Sequence, residues 1–297
     1  MFEEMSFRLQ QALTSPVMNR IADWMMRNEE RRDFRRLNGQ TVDRHLVSLT
    51  DGRSYDAEQY RKLRHILEEK HNTEAGVAVA ICSPAAGDGK SLTAVNIAAT
   101  LAQAKSNRVL LVDADFRRES VSFTQLLGLN NLQRPGLSDA IVNSELEFPD
   151  IVHRTYTPNL EVIMVGGQTL TPYELLRSAN FGELLLDMRM HYDFIIIDAP
   201  PVVPVSDCRV MATNVDYFLM VVAAHRTPRP MLEEALDLMA PEKMMGIIFN
   251  GCDLIPSRYY GYYGYYNHYY GTPTAQKGKD EHRGRAKQQS ESASPRP

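Results

Sequence analysis

Short apolar runs alternate with segments of helical periodicity through the middle of the chain. The apolar runs predict strands at residues 77–82, 109–112, 160–165, 194–197, 217–223 and 245–249. Helical spacing predicts helices at residues 57–70, 91–104, 181–190 and 230–239. Because strands that alternate with helices form a parallel sheet covered on both faces, the pattern predicts an α/β fold with a mainly parallel sheet.

The two ends of the chain differ from the middle. In residues 1–40, apolar side chains recur at roughly helical spacing, which predicts a helical extension. Such an extension can pack on the core, dock on a partner or a membrane surface, or be disordered. We expect residues 41–75 to form a linker and a helix, 76–256 the main domain, and 257–297 a flexible tail that starts with a tyrosine cluster.

Composition and charge narrow the class of protein. Of the 297 residues, 43% are hydrophobic and 24% charged, and the formal net charge of -4 argues against nucleic-acid binding, which only a short basic stretch near the C-terminus favours. No apolar run approaches the roughly 18 residues of a membrane-spanning helix, and the N-terminus lacks the pattern of a secretory signal. The three scattered cysteines indicate reduced thiols. We therefore expect a cytoplasmic protein in which any membrane role depends on a partner or an amphipathic segment.

Residues 86–91 read Ala-Gly-Asp-Gly-Lys-Ser between a predicted strand and a predicted helix, which is the context of a P-loop. Gly87 and Gly89 let backbone N–H groups close around phosphate oxygens at the helix N-terminus. Lys90 is expected to reach the β- and γ-phosphates of ATP, and the Ser91 hydroxyl to ligate Mg²⁺. Pro84 stands where the usual pattern has its first glycine. The predicted fold class is thus a P-loop NTPase sandwich.

Asn250 follows the last predicted strand, where its amide can accept from and donate to the adenine edge. It can equally be a turn asparagine before Gly251. The full set of residues assigned to ATP binding is Ala86, Gly87, Asp88, Gly89, Lys90, Ser91, Leu92 and Asn250.

Carboxylates follow two of the predicted strands. Asp113 and Asp115 end one of them, and Asp198 ends another. The carboxyl ends of parallel strands share the sheet edge that carries the P-loop, and Mg²⁺ prefers oxygen ligands such as carboxylates. Asp198 is therefore a candidate metal group, and one of the paired aspartates can hold the metal's water while the other accepts a proton from an incoming hydroxyl. Alternatively, one of the pair caps the next helix or pairs with Arg117 or Arg118.

These motifs together resemble the bacterial tyrosine kinases of polysaccharide synthesis over roughly residues 45–270. The segments that carry the resemblance are 83–91, 111–118, 136–139, 172–176, 196–201 and the tyrosine cluster. The resemblance implies an ATP- and Mg²⁺-dependent autokinase in which Asp113 is the catalytic base, while Asp115 and Asp198 organise the metal with Ser91. It also implies a subunit ring, whose self-association residues are Glu58, Arg61 and Arg64.

The resemblance also gives the tyrosine cluster a role, because one subunit's tail would enter its neighbour's active site. The implied acceptors are Tyr259, Tyr260, Tyr262, Tyr263, Tyr265, Tyr266, Tyr269 and Tyr270. Phosphorylation would regulate synthesis or export of a surface polysaccharide, and a cognate tyrosine phosphatase would reset it. Many members carry a fused transmembrane activator; this sequence shows none, so a separate membrane-embedded co-polymerase is expected. Glu119 stands where the family commonly has proline.

Besides nucleic-acid binding, two other functions compete with the autokinase, and the tyrosine cluster has a second interpretation of its own. A positioning ATPase of the Min/Par type shares the fold but has a second lysine five residues before the invariant one, where this chain has Ala85. A non-catalytic scaffold has no need for the complete set of P-loop and aspartate residues. Taken alone, the tyrosine cluster is also typical of an aromatic low-complexity segment that self-associates.

Overall fold

The computed structural model describes residues 43, 45–71, 75–117, 123–129, 135–167, 169 and 171–252. The predicted N-terminal extension and all predicted tyrosine acceptors lie outside these residues, and the predicted domain boundaries stay predictions. Within the described part of the chain, no helix is both long and apolar enough to cross a bilayer.

Within the described residues, seven strands form one sheet in the order β3-β4-β2-β5-β1-β6-β7. Their bounds are β1 Val77–Cys82, β2 Val109–Asp113, β3 Val152–Arg154, β4 Leu160–Ile163, β5 Phe194–Asp198, β6 Tyr217–Ala223 and β7 Met244–Asn250. All neighbouring pairs are parallel except β3 with β4 at one edge. The predicted α/β fold with a mainly parallel sheet is confirmed.

The helices surround this sheet. Their bounds are α1 Val47–Thr50, α2 Tyr55–Lys70, α3 Lys90–Ala102, α4 Phe123–Leu127, α5 Leu137–Val142, α6 Phe148–Ile151, α7 Pro172–Arg177, α8 Ala179–His191, α9 Asp207–Met211 and α10 Arg229–Asp237, with a 3-10 turn at Pro241–Lys243. Every helix and strand predicted within the described residues is present, and no end moves by more than two residues, as at Tyr55 against the predicted 57. The short helices and β3 were not predicted, because so few residues carry no periodicity.

The two faces of the sheet bury separate hydrophobic clusters. One cluster joins Leu111 and Ile196 of the sheet to Val95 of α3. Since side chains alternate along a strand, Asp113 and Asp198 lie on the same face, two residues further along β2 and β5. The α3 face of the sheet therefore carries the apolar core first and the carboxylates at its end.

Helix α2 is fixed to α3 through polar and apolar contacts. The Ser54 hydroxyl accepts from the Ala57 N–H at 3.2 Å and caps the start of α2. Leu67 is fully buried in the α3-face cluster, and Arg64 donates to the Thr100 carbonyl of α3 at 3.4 Å. The surface of α2 that carries the predicted self-association residues is thus held in a fixed position relative to the P-loop helix.

Candidate active site

The P-loop joins the end of β1 to the start of α3. Gly87 and Gly89 have φ angles of 84° and 95°, which L side chains rarely adopt. Gly89 is the residue before α3, so the free N–H groups of the helix start at the loop. Pro84 occupies the position of the first glycine in the usual pattern. Its φ angle is not positive, so the loop does not require a glycine at this position.

Asn250 closes the P-loop from the end of β7. Its Nδ2 donates to the Asp88 carbonyl at 3.0 Å, and a Cβ added to Gly89 would lie 2.0 Å from the same nitrogen. The donor end of the amide therefore contacts the protein, while Oδ1 is the end chemically suited to accept from the 6-amino group of adenine. The predicted adenine contact stays a prediction.

Lys90 stands among the predicted metal carboxylates. Its Nζ lies 2.5 Å from Asp115 Oδ2 and 3.8 Å from Asp198 Oδ1, and all three side chains are buried. Asp113 pairs in register with Asp198 across β2 and β5, and its Oδ1 accepts from the Asp115 N–H at 3.3 Å. The structure brings the P-loop lysine and all three predicted aspartates to one edge of the sheet.

Arg117 forms an ion pair with Asp207, a carboxylate that was not among the partners expected for this arginine. Its guanidinium donates two hydrogen bonds to Asp207, at 2.7 and 3.1 Å. The hydrogen bond to Asp207 raises the pKa of Arg117 above its usual value. Arg118, the other arginine of the alternative hypothesis, lies outside the described residues. The pair instead ties the loop after β2 to the start of α9.

The donor set at this edge suits a magnesium ion that is shared with a nucleotide. Within the described residues, no group of three or more His, Cys, Asp or Glu side chains is arranged to bind a metal by itself. Mg²⁺ in nucleotide sites uses one or two carboxylates and completes its shell with phosphate oxygens and water. Asp115 and Asp198, beside Ser91 at the start of α3, fit that requirement. Lys90 would then exchange its carboxylate contacts for phosphate contacts.

The remaining predicted site residues occupy different surroundings. Ala86 lies in the turn of the P-loop, and Leu92 packs against the α3-face cluster from the first turn of α3. The Asp88 carboxylate is buried and hydrogen-bonded to protein groups. The predicted self-association residues lie in ion pairs within one subunit, Arg61 with Glu58 at 2.7 Å and Arg64 with Glu68 at 2.8 Å.

Sequence reasoning missed two residues that support this edge, Asp207 and Thr227. Asp207 is buried and pairs with Arg117, and the Thr227 hydroxyl donates to the Asp88 carboxylate at 2.8 Å. Both follow strands that end at the nucleotide edge, β5 and β6. Polar residues shortly after such strands were the available signal, but no known motif marks them.

The thiols of Cys82 and Cys208 are also buried near this edge of the sheet, and burial raises the pKa of Cys82 to about 12.

Fold and site together define a nucleotide-binding protein of the P-loop NTPase type. The sequence matches the AAA domain family over residues 77–229. It is 30% identical over 241 residues to Tyrosine-protein kinase YwqD of Bacillus subtilis, which covers 80% of this chain and 96% of that protein. It is 34% identical over 179 residues to Tyrosine-protein kinase CpsD of Streptococcus agalactiae, covering 58% and 74% of the two chains. The chain belongs to the bacterial tyrosine-protein kinase family.

Solved structures agree with this assignment. The kinase domain of the Escherichia coli tyrosine kinase ETK is 26% identical, with a TM-score of 0.64 over 71% of this chain and 82% of that one. The chimerical protein CapA2B2 is 27% identical, with a TM-score of 0.61 over 69% of this chain and 88% of that one. Among longer relatives, the chain spans 27% of the putative tyrosine-protein kinase EpsB of Ralstonia nicotianae.

Proposed function

We propose that this chain transfers the γ-phosphoryl group of ATP to tyrosines of its own C-terminal cluster, chiefly on a neighbouring copy. The observation that carries the proposal is the convergence of Lys90, Asp113, Asp115 and Asp198 at the P-loop edge. A phosphoryl-transfer site needs a cation for the phosphates, carboxylates for the metal and a base for the acceptor. The membership in a family of tyrosine-protein kinases supports tyrosine as that acceptor.

Different residues of the chain have separate roles in this transfer. The tyrosine oxygen bonds to the γ-phosphorus, the bond from that phosphorus to the β–γ bridging oxygen breaks, and ADP leaves. A phenol has a pKa of about 10 and needs a base, and Asp113 would accept its proton. Lys90 and the P-loop N–H groups stabilise the charge that develops on the phosphates. A bound Mg²⁺, held by Ser91, Asp115 and Asp198, would neutralise phosphate charge and orient the leaving group.

The wider setting is also part of the proposal. Each phosphate adds about -1.5 to -2 charges, so several phosphates on neighbouring tails repel each other and weaken a subunit ring. Cycling between the two states would regulate synthesis or export of a surface polysaccharide, with a cognate tyrosine phosphatase to reset it. A separate membrane-embedded co-polymerase would activate the kinase and recruit it from the cytoplasm to the inner face of the membrane.

Mass spectrometry after incubation with Mg²⁺ and ATP tests the function directly. We expect phosphotyrosine between Tyr259 and Tyr270 in the wild type and none in Lys90→Met. Tyr156 is exposed on the folded domain and serves as the matched control, because Tyr156→Phe should leave the total phosphotyrosine unchanged. The cytoplasmic segment of the co-polymerase is added in a second set of reactions.

A mixing experiment separates transfer between copies from transfer within one copy. A variant with all eight tail tyrosines changed to phenylalanine supplies the active site, and Lys90→Met supplies the tail. Phosphotyrosine on the Lys90→Met tail is expected for transfer in trans. Hydrolysis of ATP to ADP with no phosphotyrosine under any of these conditions would favour the positioning ATPase instead.

Helix α2 carries the residues that are predicted to form the subunit contact of the ring, and substitution of its arginines should yield monomers. Arg61 and Arg64 are half-buried on α2, in ion pairs that a neighbouring subunit can replace. Exchange of both arginines for alanine is expected to shift the protein from oligomer to monomer on a sizing column with light scattering. Lys62→Ala, an exposed residue of the same helix, is the control and should keep the oligomer. A persistent ring in the double variant would refute the assignment.

A further inference from the structure

Asp88, between the two P-loop glycines, is held by three separate parts of the chain. Its side chain is 2% exposed, and both carboxylate oxygens accept hydrogen bonds, Oδ2 from the Ala85 N–H at 3.1 Å and Oδ1 from the Thr227 hydroxyl at 2.8 Å. Its backbone carbonyl accepts from Asn250 at 3.0 Å. We name Asp88, Thr227 and Asn250 the Asp88 clamp. The clamp joins the P-loop to the ends of β6 and β7.

The direction of the Thr227 hydrogen bond is fixed by its neighbours. The Thr227 oxygen accepts from the Ala223 N–H at 3.1 Å, so its single proton points to Asp88. Ala223 is the last residue of β6, a strand buried along nearly its whole length. The clamp is thereby anchored on the rigid sheet. A serine could supply the same hydroxyl, whereas valine would keep the shape and lose both hydrogen bonds.

The loop that presents Thr227 is strained, which indicates a constraint on its conformation. His225 has a φ of 61°, a left-handed conformation that residues other than glycine adopt only at an energetic cost. Such strain persists only where the surroundings determine the backbone, and it concentrates at functional sites. The adjacent Arg226 donates to the Gly87 carbonyl at 2.8 Å. The strained loop thus contacts both the backbone and the acidic side chain of the P-loop.

A carboxylate inside a phosphate-binding loop is unfavourable unless it is held away from the phosphates. Two glycines also give the loop many conformations that nucleotide binding must restrict. We propose that Thr227 is a positioning residue for the nucleotide: it holds the Asp88 carboxylate away from the phosphates and keeps the P-loop in its binding shape before the nucleotide arrives. This inference rests on nucleotide binding within the proposed function and is independent of the tyrosine acceptor.

Nucleotide affinity and local amide exchange test the inference on the full chain. Thr227→Val should raise the Kd for Mg-ADP about tenfold, because a hydrogen bond to a charged group is lost. Thr227→Ser should stay within about threefold of wild type, since the hydroxyl is kept. The KM for ATP should rise with the Kd, and kcat should change less. In nucleotide-free protein, hydrogen exchange of the P-loop amides should accelerate in the valine variant only.

Each possible outcome supports or overturns the positioning role. A valine variant with unchanged Kd and unchanged P-loop exchange would overturn it, and so would a serine variant that is as weak as valine. Asp88→Asn is the second variant, because its amide group can replace only one of the two acceptor oxygens; it should also weaken Mg-ADP binding. Tight, Thr227-dependent Mg-ADP binding without any phosphotyrosine would leave this inference standing and sink the autokinase proposal.

Discussion

Asp113→Asn is expected to lower phosphoryl transfer by about 10²- to 10⁴-fold, the usual contribution of a general base. The amide has nearly the same shape and keeps an oxygen that can accept from the Asp115 N–H, so the fold should be kept. Asparagine cannot accept the phenol proton. Mg-ATP binding should stay within about threefold, because Asp115 and Asp198 still supply the carboxylates that the metal needs. Single-turnover phosphorylation of the tail, together with calorimetry of Mg-ATP binding, measures the two effects separately.

Asp115→Asn is the matched comparison for this prediction. Asp115 lies against Lys90 at the same edge, and its loss should weaken binding of Mg²⁺ as well as transfer. Substitution of the base should leave the affinity for Mg-ATP intact, whereas substitution of a metal-binding group should lower it. Parallel loss of binding and transfer in Asp113→Asn would make Asp113 a metal group and would falsify its assignment as the base.

The positions of the aspartates could be predicted because they depend on the sheet alone. Once β2 and β5 were recognised as buried parallel strands, Asp113 and Asp198 had to end at the same edge, and their register is now observed. The strands were visible because uninterrupted apolar runs have no other place than the core. The long helices were visible through their periodicity. The sequence therefore predicted well the strands, long helices and strand ends whose positions are determined by burial.

The parts that could not be predicted depend on contacts between residues far apart in sequence. Asp88 and Thr227 are separated by 139 positions, and nothing in either residue type predicts that the two side chains form a hydrogen bond. A P-loop consensus leaves the position of Asp88 open, so the direction of its side chain had no sequence signal. By sequence the expected partner of Arg117 was Asp113 or Asp115, and the fold places it against Asp207 of α9, 90 positions away.

Lys90→Met is expected to abolish detectable transfer and also to destabilise the nucleotide-free protein. Lys90 and Asp115 form a buried pair at 2.5 Å, with side-chain exposures of 7% and 5%. Removing one partner of a buried pair leaves an uncompensated charge and typically costs about 3–5 kcal/mol. Asp198, also buried, loses its nearby cation in the same variant. Urea unfolding without nucleotide and with a chelator present measures the loss.

The two partners of this pair should not be equivalent. In Asp115→Asn, Lys90 keeps Asp198 at 3.8 Å, so the loss of stability should be smaller than in Lys90→Met. The double variant should be more stable than Lys90→Met alone, because the charge left unpaired by the first change is neutralised by the second. It should remain inactive, since no cation reaches the phosphates. If Lys90→Met were as stable as wild type, the carboxylates would be compensated by solvent, and Lys90 would act on the nucleotide alone.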